Sequence, residues 1–154
     1  MTTELASFVP NSFAAPRRLE HASFTLRPLD VEHNERDYAA WTTSIEHIAA
    51  TPGFAGADWP HPMSLDDNRG DLARHAADFA ARRGFTYTVL DGDDVVGCVY
   101  IYPSKDAAHD AKVTSWVRRD RAPLDGVLYR AVVAWLARDW PFARVEYAPR
   151  PEAA

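Results

Sequence analysis

Residues 85–117 read FTYTVLDGDDVVGCVYIYPSKDAAHDAKVTSWV, and this stretch decides the fold. Phe85–Leu90 alternates as a strand does. Asp91-Gly92-Asp93-Asp94 is a hairpin turn. Val95–Tyr102 is the returning strand, stopped by Pro103. Ser104–Asp110 is a polar loop, and Ala111–Val117 is a further strand.

Downstream, Pro123 suits the first position of a helix. Leu124, Val127, Leu128, Ala131, Trp135 and Leu136 give that helix a strong apolar face, and Trp140-Pro141 stops it. Ala143–Tyr147 reads as a last strand, with Pro149 and Pro151 ending the domain. A strand–helix–strand unit of this kind implies a right-handed parallel crossover. Upstream, Ser23–Arg27 is a short strand ending at Pro28, and Asp30 is placed to cap the next helix. Tyr38, Trp41, Ile45 and Ile48 form one helical stripe, with the acidic and polar residues between them on the other face. Ala49–Pro62 is a loop rich in Pro and Gly that also carries Phe54, Trp59 and His61. Ser64-Leu65-Asp66-Asp67 resembles a capping box opening a second helix. Its buried face is Leu65, Leu72, Ala76, Phe79 and Ala80, with an Asp78–Arg82 pair and Gly84 at its end. Residues 1–22 lack a period and read as an extended N-terminal arm before a domain spanning 23–154. The expected class is α/β, a mixed, mostly antiparallel sheet with helices on both faces, in the order β-α-α-β-β-β-α-β.

The chain has 154 residues, enough for one domain with its own core. Hydrophobic residues are 47% and charged residues 25%, which excludes extensive disorder. Its longest apolar run, Val95–Tyr102, is far below the ~20 residues of a membrane span, and MTTELASFVP is not a secretory signal. Cys98 is the single cysteine, which excludes an internal disulfide and a cysteine-rich zinc site, and no His-x-x-x-His spacing suggests a metal. A cytoplasmic location is expected. The net charge of −5 argues against nucleic-acid binding, and no membrane partner is expected.

The order of elements resembles the GCN5-related N-acetyltransferase (GNAT) fold over Ser23–Tyr147. DGDDVVGCVYIYP is similar to the family's second and third strands, with Gly97 after two aliphatics. VTSWV is similar to its fourth strand. GVLYRAVVAWLARDWPFARVEY is similar to its third helix and fifth strand, including the Leu128–Trp135 spacing. The resemblance implies an acyltransferase that moves an acetyl-type group from acyl-CoA, typically acetyl-CoA, to an amine of a small molecule or peptide. In that family strands four and five splay apart to admit the pantetheine arm. Strand-four N–H groups polarise the thioester, and N–H groups opening the third helix hold the pyrophosphate. Carried over, this makes Trp116, Val117, Arg118, Arg119, Arg121, Leu124, Asp125 and Gly126 the cofactor-binding residues. The family's Gln/Arg-x-x-Gly-x-Gly/Ala loop is degenerate here: Asp120–Asp125 reads DRAPLD, with Pro123 lacking an N–H and Asp125 repelling phosphate. The family's fourth helix and last two strands have no counterpart, so the chain reads as C-terminally truncated. The N-terminal arm or a second subunit, in a homodimer, is expected to fill that space.

Trp41, Phe54, Trp59 and His61 are the expected substrate-binding residues, through stacking and cation–π contact. His47 is the expected base by residue type, with Glu46 beside it. Some group must take a proton, since deprotonating an amine of pKa near 10.4 at pH 7 costs about 4–5 kcal/mol. Each assignment has a plain counterpart. The Trp residues also suit core packing, a lone His is commonly structural, and Arg118–Arg121 also suits a solvated turn paired with Asp120 and Asp125. The alternative function is a GNAT-like ligand-binding or protein-interaction module without catalysis.

Overall fold

The computed structural model describes residues 7–151. In chain order its elements are β1 (Leu19–His21), β2 (Phe24–Pro28), a 3-10 turn (Val31–His33), α1 (Asn34–Thr42), α2 (Ile45–Ala49) and α3 (Leu65–Ala80), followed by β3 (Phe85–Asp91), β4 (Asp94–Pro103), β5 (Ala111–Val117), α4 (Leu124–Asp139) and β6 (Val145–Tyr147). One sheet runs β1-β2-β3-β4-β5-β6. Every neighbouring pair is antiparallel except β5 and β6, which α4 connects in parallel. This is the expected mixed, mostly antiparallel α/β sheet. Gly92 takes a φ of 60° in the β3–β4 turn, a conformation a Cβ disfavours.

The period-2 alternation of β3, β4 and β5 divides the interior into two cores. On one face Tyr87, Ile101, Val113 and Val117 meet Leu128, Val132, Trp135 and Leu136 of α4. On the other, Leu90, Val95, Cys98 and Trp116 lie beneath Trp41, Ile48, Phe54 and Leu72. Asp30 caps the 3-10 turn, accepting from the Val31 N–H at 2.7 Å. Ser64 caps α3, its hydroxyl accepting from the Asp67 N–H at 3.0 Å.

Several elements depart from the expectations. The single helix over Tyr38–Ile48 is two helices. Thr43 Oγ1 bonds the Ala39 carbonyl at 2.8 Å, and Ser44 Oγ accepts from the Arg119 N–H at 3.0 Å, so the chain leaves the helix there. Leu65 is 40% exposed, and Ala80 is exposed too. The Asp78–Arg82 pair does not form. Arg82 turns to φ 63° after α3 and donates to the Pro10 carbonyl, while Asp78 takes Arg83 at 3.1 Å. Gly84 instead leaves room for the Tyr102 ring. The last strand is shorter than expected because the Ala143 and Arg144 N–H groups both bond Asp110 Oδ2 at 2.8 Å.

The N-terminal arm is part of the fold, although residues 1–6 lie outside the described residues. Val9 is buried, Phe8 stacks near Phe142, and Phe13 packs on Trp140. Its end forms β1, at the sheet edge opposite β6. As β1 the end of the arm adds a strand to the sheet edge away from β6, while its Phe8 and Phe13 pack against Phe142 and Trp140 just ahead of β6.

Gly97 pairs with Val117 across β4–β5, and a Cβ on it would press into the neighbouring Trp116 carbonyl oxygen. Gly97→Ala is expected to destabilise the chain by about 2–3 kcal/mol, measured by urea unfolding. A cost below about 0.5 kcal/mol would contradict this packing.

Candidate functional site

β5 is seven residues long, but β6 pairs with only its first three: Ala111 with Val145, Lys112 with Glu146, and Val113 with Tyr147. Beyond Tyr147 the chain turns away, and Thr114–Val117 has no strand partner on that edge among the described residues. Arg150 fills the divergence. Its side chain is 2% exposed. Nη2 donates to the Ser115 carbonyl at 2.7 Å, a position that continued strand pairing would have used. Nε donates to Asp125 Oδ2 at 2.8 Å, and Nη1 to the Ala148 carbonyl at 2.9 Å. The guanidinium lies 5.8 Å and 5.6 Å from the ring centroids of Tyr129 and Tyr147, and Tyr147 shares a hydrogen bond with Ser115 Oγ. Asp125 Oδ1 is buried with no hydrogen-bond partner among the described residues.

This geometry fits one part of an acyl-CoA and not another. The free edge of β5 suits an extended thioester arm once Arg150 withdraws. The start of α4 does not suit a diphosphate: Pro123 is the N-cap, without an N–H, and Asp125 sets a carboxylate in the first turn. Two of the nearby arginines hold acidic partners of their own. Arg118 grips Asp120 through Nε at 2.9 Å and Nη2 at 3.2 Å, and Arg121 pairs with Asp91 at 2.9 Å. An open cavity of about 630 Å³ beside this corner is lined by Arg36, Ser44, Arg118 and Arg119. Gly126 lies in the first turns of α4, and Leu124, Trp116 and Val117 are buried in the two cores.

A second cavity, of about 410 Å³, lies under the aromatic loop. Asp37, Phe54, Trp59, His75, Tyr100 and Thr114 contribute to its lining, as does His61. The Trp59 ring centroid lies 6.0 Å from Phe54 and 6.4 Å from Tyr100. Trp41 is not in the lining. It is fully buried, backs Trp59 at 5.4 Å, and donates Nε1–H to Asn68 Oδ1 at 3.0 Å. Asn68 in turn donates to Asp37 Oδ2 at 3.1 Å and Asn34 Oδ1 at 2.8 Å.

Burial pushes Asp37 up to about 6; the Asn68 hydrogen bond opposes this and the Asp71 charge adds to it. Burial, with help from Arg74, pushes His75 down to about 4, so it is neutral at pH 7. His75 Nδ1 shares hydrogen bonds with Tyr102 Oη at 2.8 Å and Thr86 Oγ1 at 3.1 Å. Burial raises the Cys98 thiol and Tyr100 phenol well above their ordinary values, which keeps both neutral.

The expected residues divide accordingly. Phe54, Trp59 and His61 meet at one cavity. His47 and Glu46 lie on α2, with Glu46 exposed, and neither lines that cavity. Asp37, His75 and Arg150 were missed. Asn34, Asp37 and Trp41 recur at helical spacing on one face of α1, and that buried polar stripe was the available signal for Asp37. Asp106, His109 and Glu146 hold ligand atoms within 4.8 Å of one another, but His109 already bonds Asp106 at 2.8 Å and Ser104 bonds Glu146 at 3.1 Å.

No protein-family model and no curated protein matches the sequence. Solved structures do match. The ribosomal-protein-S5-alanine acetyltransferase of Vibrio fischeri superposes with a TM-score of 0.64 at 13% identity, over 84% of this chain and 72% of that one. Mycobacterium smegmatis RimJ, solved with CoA-disulfide, gives 0.64 at 17% identity, over 85% and 64%. The microcin C7 self-immunity acetyltransferase MccE, solved with acetyl-CoA and AMP, gives 0.60 at 14% identity, over 80% and 66%. The fold is that of the GNAT acetyltransferases.

Asp37 and His75 set opposite pH slopes. The raised carboxyl makes the folded state bind its proton more tightly than the unfolded chain, so stability falls as pH rises from about 4 through about 6. The lowered imidazole does the reverse, adding stability from about 4 up to 6.5. Asp37→Asn removes only the first slope. Between pH 4 and pH 7 the variant should therefore gain about 2 kcal/mol relative to wild type in urea unfolding. A pH-independent difference would contradict a buried, titrating Asp37.

Proposed function

We propose that the chain is an acyl-CoA-dependent N-acyltransferase that moves an acetyl-type group to an amine of a small molecule or peptide. Thr114 carries this reading. It lines both the aromatic cavity and the groove of about 320 Å³ where β5 and β6 part, so an amine in one faces a thioester arm in the other. Support comes from the fold, whose solved examples include proteins holding CoA-disulfide and acetyl-CoA. The thioester arm would take the edge of β5 that Arg150 now occupies. The phosphates would lie not on the first turn of α4 but at the corner of Arg118, Arg119 and Arg121, with Arg36 adjoining. The proton from the amine falls to water or to a group of the cavity, since His47 and Glu46 stand outside it.

A second reading is favoured by the Arg150–Asp125 pair: a binding module that keeps the fold and has closed the opening with its own side chain. Acetyl-CoA at a hundred times its Kd would add ~2.7 kcal/mol and raise Tm by about 5–10 °C. The enzyme reading expects that rise, its loss in the Arg118→Ala/Arg119→Ala variant, and thiol release with a panel of amines. No rise at millimolar acetyl-CoA would contradict it; a rise without thiol release would favour the binding module.

A further inference from the structure

The floor of the aromatic cavity holds a carboxylate with no cation of its own. Asp37 is 4% exposed, yet lines a cavity open to solvent. Asn68 supplies a neutral donor, and among the described residues no Lys, Arg or His forms an ion pair with Asp37. A buried carboxylate in this state is costly when ionised, and a cation entering the cavity offsets that cost. The surrounding groups leave the task to a ligand. His75 on α3 is neutral, Cys98 and Tyr100 on β4 are neutral, and Arg74 is held at 3.0 Å by Asp71 on its own helix. His61 of the loop is exposed at the rim, with its Nδ1 on the Pro62 carbonyl at 3.0 Å.

The rest of the lining specifies the body attached to that cation. Trp59, Phe54 and Tyr100 present aromatic surface, and Leu29, Met63 and Leu72 present apolar surface. Aromatic faces attract a cation as well as burying carbon. A volume of about 410 Å³ is that of a small-molecule site. Arg74 near the opening disfavours a second positive charge, while Asp37 and Asp71 disfavour a carboxylate on the ligand. We infer that this cavity binds a small, singly charged primary ammonium on an apolar body, with Asp37 as its counter-ion. As an acceptor site the cavity rests on the acyltransferase reading, but binding of the ammonium needs no acyl donor.

The test is calorimetric titration of the full chain with 2-phenylethylamine, without acyl-CoA, against the neutral 2-phenylethanol. The amine should bind at least tenfold more tightly than the alcohol at pH 7.5. Its affinity should fall roughly tenfold at pH 5, where about a tenth of Asp37 remains ionised while the amine stays charged. Asp37→Asn should remove the preference for the amine and flatten the pH dependence; if that variant does not fold, the amine-to-alcohol ratio and pH profile of wild type decide. Equal affinity for amine and alcohol, no binding of the amine, or an unchanged preference in folded Asp37→Asn would overturn the inference. Amine binding without acyl transfer keeps this site and removes the enzyme reading. Transfer to other acceptors without amine binding does the opposite.

Discussion

The Arg150 guanidinium between β5 and β6 is the interaction on which the candidate site turns. Parallel pairing stops after Val113 and Tyr147, so the outer edge of β5 would be left with unsatisfied peptide groups. Arg150 supplies the missing donor to Ser115 and neutralises Asp125 in the same stroke. Removing one partner from so buried a pair is costly because the other charge is left behind. A donor that takes this space must therefore displace a satisfied cation and leave a carboxylate at the start of α4. On the proposed acyltransferase reading, that carboxylate and Pro123 turn the phosphates of a donor away from α4 and toward the arginine corner.

The opening and the aromatic cavity are products of the same sheet. Trp116 and Cys98 point to the face under α1 and α3, and so does Thr114, which links the two spaces. The cavity is roofed by the loop between α2 and α3, whose Phe54 is anchored in the core and whose Trp59 rests on Trp41. An acid and a base with oppositely displaced protonation line it, Asp37 pushed up and His75 pushed down by burial. Such a pair conserves stability across mildly acid pH while holding one ionisable carboxylate ready for a cation.

Much of this was legible in the residues themselves. Ala111–Val117 agrees with the expected strand residue for residue, and the β3–β4 hairpin follows from Asp91-Gly92-Asp93-Asp94, because strong local patterns set them. The break between α1 and α2 was hidden because Ile45 and Ile48 stay in phase with Trp41 across it, while the cause is a hydroxyl of Ser44 held by Arg119, far along the chain. Asp37 precedes the Tyr38–Ile48 stripe and an acid carries no apolar signal of burial; inside the fold it is held by the Asn68 side chain of α3. Arg150 follows Pro149 in a stretch with no period, and only the three-dimensional parting of β5 and β6 gives it a role. His47 was chosen by residue type, and the helix that carries it does not line the cavity.

A crystal structure grown with saturating acetyl-CoA would test the central claim most directly. The account predicts that the donor's thioester arm lies along Ser115 and that the Arg150 guanidinium has left both the Ser115 carbonyl and Asp125. Arg150 still bonded to both, with the donor absent or bound elsewhere, would contradict it.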